Sequence, residues 1–308
     1  MPADPVKVVP PEVFFLPAKT AAGGQRFCIY HTAQDASPRG LVLYIHPFAE
    51  EMNKARRMAA LQSVALAQAG FAVLQIDLHG CGDSSGDFGD ATWQSWVDDV
   101  LLGCQWLRER TRGQIEFVTA GNNIQAQPPL WLWGLRAGCL LAAEAARQLG
   151  ELCNFLFWQP PAAGKLLVQQ FLRLKVAGDL MGGQAKGVMQ TMRQQLANGE
   201  SVEIAGYMLA PGLANGLEQA LLVPPATVGT FPAPQVAWFE LSPRQDANLS
   251  SVATHILTPW QQAGFQVATQ LVPGPAFWQT TEIEDAPALI QATLSAVTTT
   301  PQCHPQSE

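Results

Sequence analysis

Leu130-Trp131-Leu132-Trp133-Gly134-Leu135-Arg136-Ala137-Gly138 is the stretch on which the fold turns. Four apolar residues run into Gly-x-x-x-Gly, and helical apolar spacing then continues to Gln148. A continuous apolar run bounded by turn residues reads as a strand buried on both faces. A strand that passes at once into a helix turns so sharply that there is no room for side chains two residues either side of its apex. Gly134 and Gly138 meet that need, and the apex is Arg136.

Working outward, Leu41 to His46 is a second buried run, closed by Pro47. From Lys54 to Ala69 the apolar residues recur at helical spacing, and Gly70 ends the segment. Phe71 to Leu78 is another buried strand, followed by the turn-rich His79 to Asp90. Thr92 to Arg110 predicts a helix with Trp93, Trp96, Val100 and Leu107 on its apolar side and Thr92 as its cap. Val13 to Leu16 and Arg26 to His31 predict an edge hairpin, and 111–129 a polar insertion loop. Downstream, strands are expected at 154–159, 236–241 and 265–272, with helices at 249–263 and 285–297. Between them, 163–230 breaks the rhythm with helices at 164–180, 185–198 and 211–222 and an extended piece at 202–207.

Strands alternating with helices mean a mostly parallel α/β sheet with helices on both faces. The expected organisation is a core in two parts, 1–162 and 231–297, with a helical lid insertion at 163–230 and a frayed tail at 298–308. Open sheets of this kind bind ligands at the carboxyl ends of their strands, where a lid shields them from water.

Composition narrows the function. Charged residues make up 14% of the 308, well below the usual ~25%, so the surface is neutral enough to meet a partner or a lipid. A net charge of −7 with scattered basic residues excludes the electrostatic footprint of a nucleic-acid binder. No apolar run is long enough for a transmembrane segment, and the first residues show no basic stretch followed by an apolar one, so no signal peptide is read. The six cysteines lack C-x-x-C spacing and read as buried thiols of a reducing, cytoplasmic compartment. Neither Glu50-Glu51 nor Glu282 with Glu284 has metal spacing with histidine, and no metal or other cofactor is expected.

The order strand, His46-Pro47-Phe48, helix, strand, Asp77-x-x-Gly-x-Gly-x-Ser, helix, strand, Gly134-x-x-x-Gly138, helix resembles the α/β-hydrolase fold. That resemblance implies a nucleophile elbow G-x-S-x-G, but an always-charged guanidinium stands at its apex and cannot attack a carbonyl. The implied acid should follow Leu241, where Ser242-Pro243-Arg244 stands and Asp246 comes a few residues late. The implied histidine should follow the last strand, where the chain reads Gly274-Pro275-Ala276-Phe277-Trp278, with no histidine between His255 and His304. All three members of a Ser-His-Asp triad are missing from their places.

What remains is receiving geometry. The resemblance assigns one oxyanion-hole N–H to Phe48 and the other to Ala137, at a helix N-terminus that favours anions. Arg136 adds a planar cation. With His46 and Glu50, these residues are the candidate site for a small anionic or acyl ligand. The alternative is that Arg136 is neutralised internally by Glu50, Glu51 or Glu240. His46 is either an acid/base, activating water together with Asp77 in an unconventional hydrolase, or a loop hydrogen-bonder. Asp77, Gly134 and Gly138 are expected to hold turns. Phe171, Leu174, Leu180, Met181, Met189 and Met192 either line a greasy pocket or pack.

A closer resemblance rests on His46 to Lys54, Asp77 to Gly89, Trp133 to Arg136 and Pro273 to Thr280. These segments are similar to the second hydrolase type associated with the exosortase A system of Gram-negative bacteria. The resemblance implies partners in surface-protein sorting and exopolysaccharide production, and no particular substrate.

Overall fold

The computed structural model describes residues 9–19, 21–35, 37–112, 127–181, 187–226, 233–244 and 247–298. Its strands are β1 (Glu12–Pro17), β2 (Gln25–His31), β3 (Gly40–Ile45), β4 (Phe71–Ile76), β5 (Leu130–Leu135), β6 (Asn154–Trp158), β7 (Val202–Ile204), β8 (Tyr207–Leu209), β9 (Gln235–Ser242) and β10 (Gln266–Pro273). Eight of them form the central sheet, in the order β1-β2-β4-β3-β5-β6-β9-β10. Only β2 runs antiparallel to its neighbours; from β4 to β10 every pairing is parallel. Every residue of β3 and β5 is buried, so the continuous apolar runs reflect helices on both faces of the sheet.

Two apolar cores follow from that layering. On one face, α2 (Trp93–Arg110) and α3 (Ala137–Leu149) pack on Leu41, Leu43, Leu132 and Phe157. On the other, α1 (Glu50–Gln68) and α8 (Pro287–Thr298) cover Val42, Trp131, Trp133 and Trp158. α7 (Ser251–Gln262) joins the first layer through Ala253 and Trp260. Thr92 caps α2 as expected, accepting a hydrogen bond from the Ser95 amide.

Several boundaries move for physical reasons. α1 begins at Glu50, four residues before the apolar period starts, because Ala49 adopts φ 51° and turns the chain into the helix. That shift places Glu50 and Glu51 in the first turn, where the helix dipole favours carboxylates. α3 begins at Ala137 and not at Gly134, since β5 continues to Leu135. The extended piece at 202–207 is a hairpin of β7 with β8, turned by Ala205 and Gly206 with φ 48° and 83°. Most of the polar insertion at 111–129 and the whole of the 298–308 tail after Thr298 lie outside the described residues.

Between β6 and β9 the chain makes α4 (Gly164–Met181), α5 (Val188–Ala197), the β7–β8 hairpin and α6 (Pro211–Gln219). It leaves and rejoins the core at a narrow neck, where Gly164 donates to the Ala220 carbonyl and Leu222 to that of Ala162. α6 packs on α2, α4 on α3, and the hairpin on the 3-10 turn Phe88–Asp90. These contacts gather the inserted segment around the loops that follow β3 and β4.

Candidate functional site

Three adjacent strands end in backbone strain. Ala49 follows β3 with φ 51°, Arg136 follows β5 with φ 54°, and Gln159 follows β6 with φ 46°. Non-glycine residues rarely adopt such angles, and they persist where the surrounding structure over-determines them. At Arg136 the cause is packing of α3 against the end of β3. A Cβ on Gly138 would lie 2.1 Å from the Ile45 carbonyl oxygen, and one on Gly134 2.5 Å from the Cys139 nitrogen. Both glycines therefore hold the turn by having no side chain.

The Arg136 side chain leaves this turn toward the start of α1. Its Nε and Nη2 donate to Glu51 Oε1 at 3.3 and 3.2 Å, and Nη2 also donates to Gln170 Oε1 at 2.9 Å. The guanidinium lies over the Trp278 ring, 5.9 Å from its centroid. Gln279 adds a weak 3.4 Å donor to the same Glu51 oxygen. One residue thus ties the elbow, α1, α4 and the loop after β10. Glu51 Oε2 and Trp278 Nε1 are buried with no protein partner among the described residues.

The three carboxylates considered for Arg136 part company here. Glu50 accepts from Asn53 and from the Tyr207 hydroxyl of the hairpin, at 3.0 and 2.9 Å. Glu240 is held by Ser250, whose amide and hydroxyl both donate to it at 2.9 Å. Glu51 alone of the three reaches the apex. Asp246 lies outside the described residues.

His46 is buried with both ring nitrogens engaged. Nδ1 sits 2.8 Å from the Pro47 carbonyl, and Nε2 is 3.2 Å from the Leu78 amide. This pattern requires the neutral Nδ1–H tautomer, with Nε2 accepting. Burial also holds its pKa below the ordinary histidine value, against a smaller opposing pull from Asp77. No hydrogen bond joins His46 to Asp77 among the described residues. Asp77 instead accepts from Arg56 at 3.0 Å and from the Asp83 amide at 3.2 Å, and its carbonyl accepts from Ser84. Its work is to fold the loop after β4.

Phe48 and Ala137 are buried beside these turns. Neither amide N–H finds a protein acceptor among the described residues, as expected for the first position of α3. The Phe48 ring packs edge-on against Phe171 of α4 at 5.0 Å and Phe88 at 5.5 Å. Phe171 and Met192 are buried in the core, Met189 is half-buried, and Leu174 is exposed; the side chains of Leu180 and Met181 lie outside the described residues.

Parallel strands in this order, a strained strand-to-helix apex between two obligatory glycines, and helices on both faces define the architecture. The chain has the α/β-hydrolase fold. A family model described as serine aminopeptidase S33 matches residues 36–173, somewhat under half of the chain. Among solved structures, Est1E of Butyrivibrio proteoclasticus with bound ferulic acid superposes with a TM-score of 0.55 at 13% identity, covering 92% of this chain and 96% of that one. A proline iminopeptidase-related protein of Thermus thermophilus gives 0.53 at 16% identity, covering 94% and 98%. An α/β serine hydrolase from Xanthomonas campestris, described as lacking a lid, gives 0.52 at 15% identity, covering 96% and 99%. A curated relative, human Protein ABHD12B, is 28% identical over 131 residues, which is 42% of this chain and 30% of that protein.

Within the α/β-hydrolase fold, sequence reasoning missed the partners supplied from a distance. Gln170 and Gln279 carry no motif, and Trp278 stands out in the sequence only as a residue near which a histidine is implied. The buried pair of Arg26 and Asp99, whose Nε and Oδ1 are 2.6 Å apart, was missed as well. Asp99 also accepts from the His79 amide at 2.7 Å. No group of three or more His, Cys, Asp or Glu residues able to hold a metal ion occurs among the described residues.

Proposed function

We propose that this chain is an α/β-hydrolase-fold protein with a degenerate triad, which recognises an acyl, carboxylate or other anionic small molecule instead of hydrolysing an ester or amide. The observation that carries this reading is the apex itself. Arg136 occupies the strained elbow with its guanidinium bonded to Glu51 and Gln170, which leaves no nucleophile to form an acyl intermediate. Donors remain for a ligand: the amides of Phe48 and Ala137, and Arg136 Nη1, none with a protein acceptor among the described residues. Pre-set N–H groups at a helix N-terminus hold negative charge without further rearrangement.

In this reading α4 to α6 act as a lid, with Gln170 and Phe171 touching Arg136 and Phe48 from above. On the strength of the resemblance to exosortase-associated hydrolases, we further propose that the ligand or partner belongs to surface-protein sorting or exopolysaccharide production and that the protein acts on the cytoplasmic side.

The test is a fluorophosphonate probe together with a screen of nitrophenyl esters, thioesters and amides on purified protein. No serine should be labelled, and Arg136→Ser should not create an efficient esterase. Stoichiometric labelling of the parent would overturn the reading. Fatty acids, acyl phosphates and sugar phosphates should then be compared by thermal shift. An anion that stabilises the parent but not Arg136→Leu identifies the ligand class. A parent unmoved by every anion removes the recognition reading.

A further inference from the structure

The two edges of the sheet are built differently. β1 is guarded: Pro10, Pro11 and Pro17 flank it, and Glu12 at its start pairs with Arg110 at 2.6 Å. Such residues keep an edge strand from pairing with another chain. β10, at the opposite edge, also ends in a proline, Pro273, but it carries no charged residue. Residues 247–281, which span α7 and β10, contain no Asp, Glu, Lys or Arg, and neither does α8. At the 14% charge density of the whole chain, 35 residues should carry about five charges.

Exposure does not follow from the pairing with β9. In β10, Gln266, Ala268, Thr269 and Gln270 are exposed, while Val267 and Leu271 are only half-buried. A strand that ends a sheet leaves one row of backbone N–H and C=O groups to water. Alongside it, an open groove of about 440 Å³ runs between β9, β10 and α8, bordered by Gln235, Gln266, Gln270, Ala292 and Ala296. Depletion of charge at the centre of a patch is the compositional mark of an interface.

We propose that β10 is the dimer edge, pairing antiparallel with β10 of a second copy about a two-fold axis and continuing the sheet across both molecules. Charge argues for a second copy as the occupant. The chain carries a net charge of −7, so two copies repel over most orientations, and this face brings no like charges together. The geometry is self-complementary as well, because a strand turned over by a two-fold axis presents the same donors and acceptors to its mate. The size is sufficient. Eight residues at about 3.3 Å each give a strand ~26 Å long. With a helix layer on each side the face is ~30 Å deep, or roughly 800 Å² per partner, which is that of a stable interface.

The experiment is sedimentation velocity on the full chain across a concentration series, with hydrogen exchange read at the two edges. The parent should sediment as a dimer, and exchange in β10 should slow as concentration rises while exchange in β1 stays constant. The double variant Ala268→Lys with Gln270→Lys puts like charges across the axis at exposed positions. It should weaken association at least ~100-fold with an unchanged circular dichroism spectrum. The control Phe15→Lys, on the other edge, should leave the dimer intact. A parent that is monomeric at tens of micromolar overturns the proposal, and so does a dimer that survives both lysines. If the lysine variant fails to fold, the concentration dependence of β10 exchange in the parent decides the matter alone.

Discussion

Two of the arginine–carboxylate pairs among the described residues, Arg26 with Asp99 and Arg136 with Glu51, differ in almost every respect. Arg26 and Asp99 join β2 to α2, both side chains are 0% exposed, and the contact is 2.6 Å. Arg136 and Glu51 join the elbow to α1, are 11% and 20% exposed, and meet at 3.2 Å. The first pair is closed to solvent: Asp99 also accepts from the His79 amide, and Arg26 also donates to the Gly23 carbonyl, while its Nη2 is buried with no partner among the described residues. The second sits at the carboxyl ends of the strands, where Arg136 keeps donor capacity beyond its internal bonds. The difference separates a charge pair that holds a fold together from one placed where a ligand could compete for it.

The largest effect should come from breaking the closed pair. Arg26→Leu strands Asp99 in the interior and should cost about 3–5 kcal/mol, read as a lower denaturant midpoint. A loss under about 1 kcal/mol would erase the distinction between the pairs.

Next comes the backbone that aims Arg136. Gly138→Ala drives a Cβ to within 2.1 Å of the Ile45 carbonyl oxygen, so the α3 and β3 backbones must separate. Overpacking of this kind costs roughly 1–3 kcal/mol, and here it should also reduce any anion-induced thermal shift. A fully stable Gly138→Ala protein would mean that the elbow is slack.

Arg136→Leu should cost less, on the order of 1–2 kcal/mol, because the Glu51 side chain is 20% exposed and keeps the Gln279 contact. A loss as large as that of Arg26→Leu would make Arg136 a purely internal tie and count against ligand binding there.

The smallest effect is in pH dependence. Burial raises the Asp99 pKa to about 6, outweighing the opposing pull of Arg26 and the His79 amide. A carboxyl raised in the folded state contributes stability below its unfolded value of about 4, and this is lost as pH rises through about 6. His31, His46 and His79 are lowered, chiefly by burial. Their contribution has the opposite sign, present above about pH 6.5 and lost on acidification. Removing the Asp99 contribution with Asp99→Asn should therefore make the melting temperature fall more steeply between pH 6 and 4 than in the parent. Equal slopes would show that burial leaves the Asp99 carboxyl titrating as it does in the unfolded chain.

The layered sheet was legible in the sequence because strands buried on both faces must be apolar at every position, as β3 and β5 are. The elbow was legible because its steric demand is local: Gly134 and Gly138 flank one sharp turn whatever the rest of the chain does. That a guanidinium stands at the apex was equally plain at Arg136. The choice of partner for that arginine was not. Glu50 and Glu51 are neighbours in sequence, but one helical step of about 100° separates them on α1, and it turns Glu51 to the apex and Glu50 to Tyr207. Glu240 is taken up by Ser250. Ion pairing depends on distance, burial and helix phase, and Arg136 gathers contacts from Glu51, Gln170 and Trp278, far apart along the chain. Residue types and local spacing determined the scaffold, and only the tertiary packing decided what the arginine in its elbow holds.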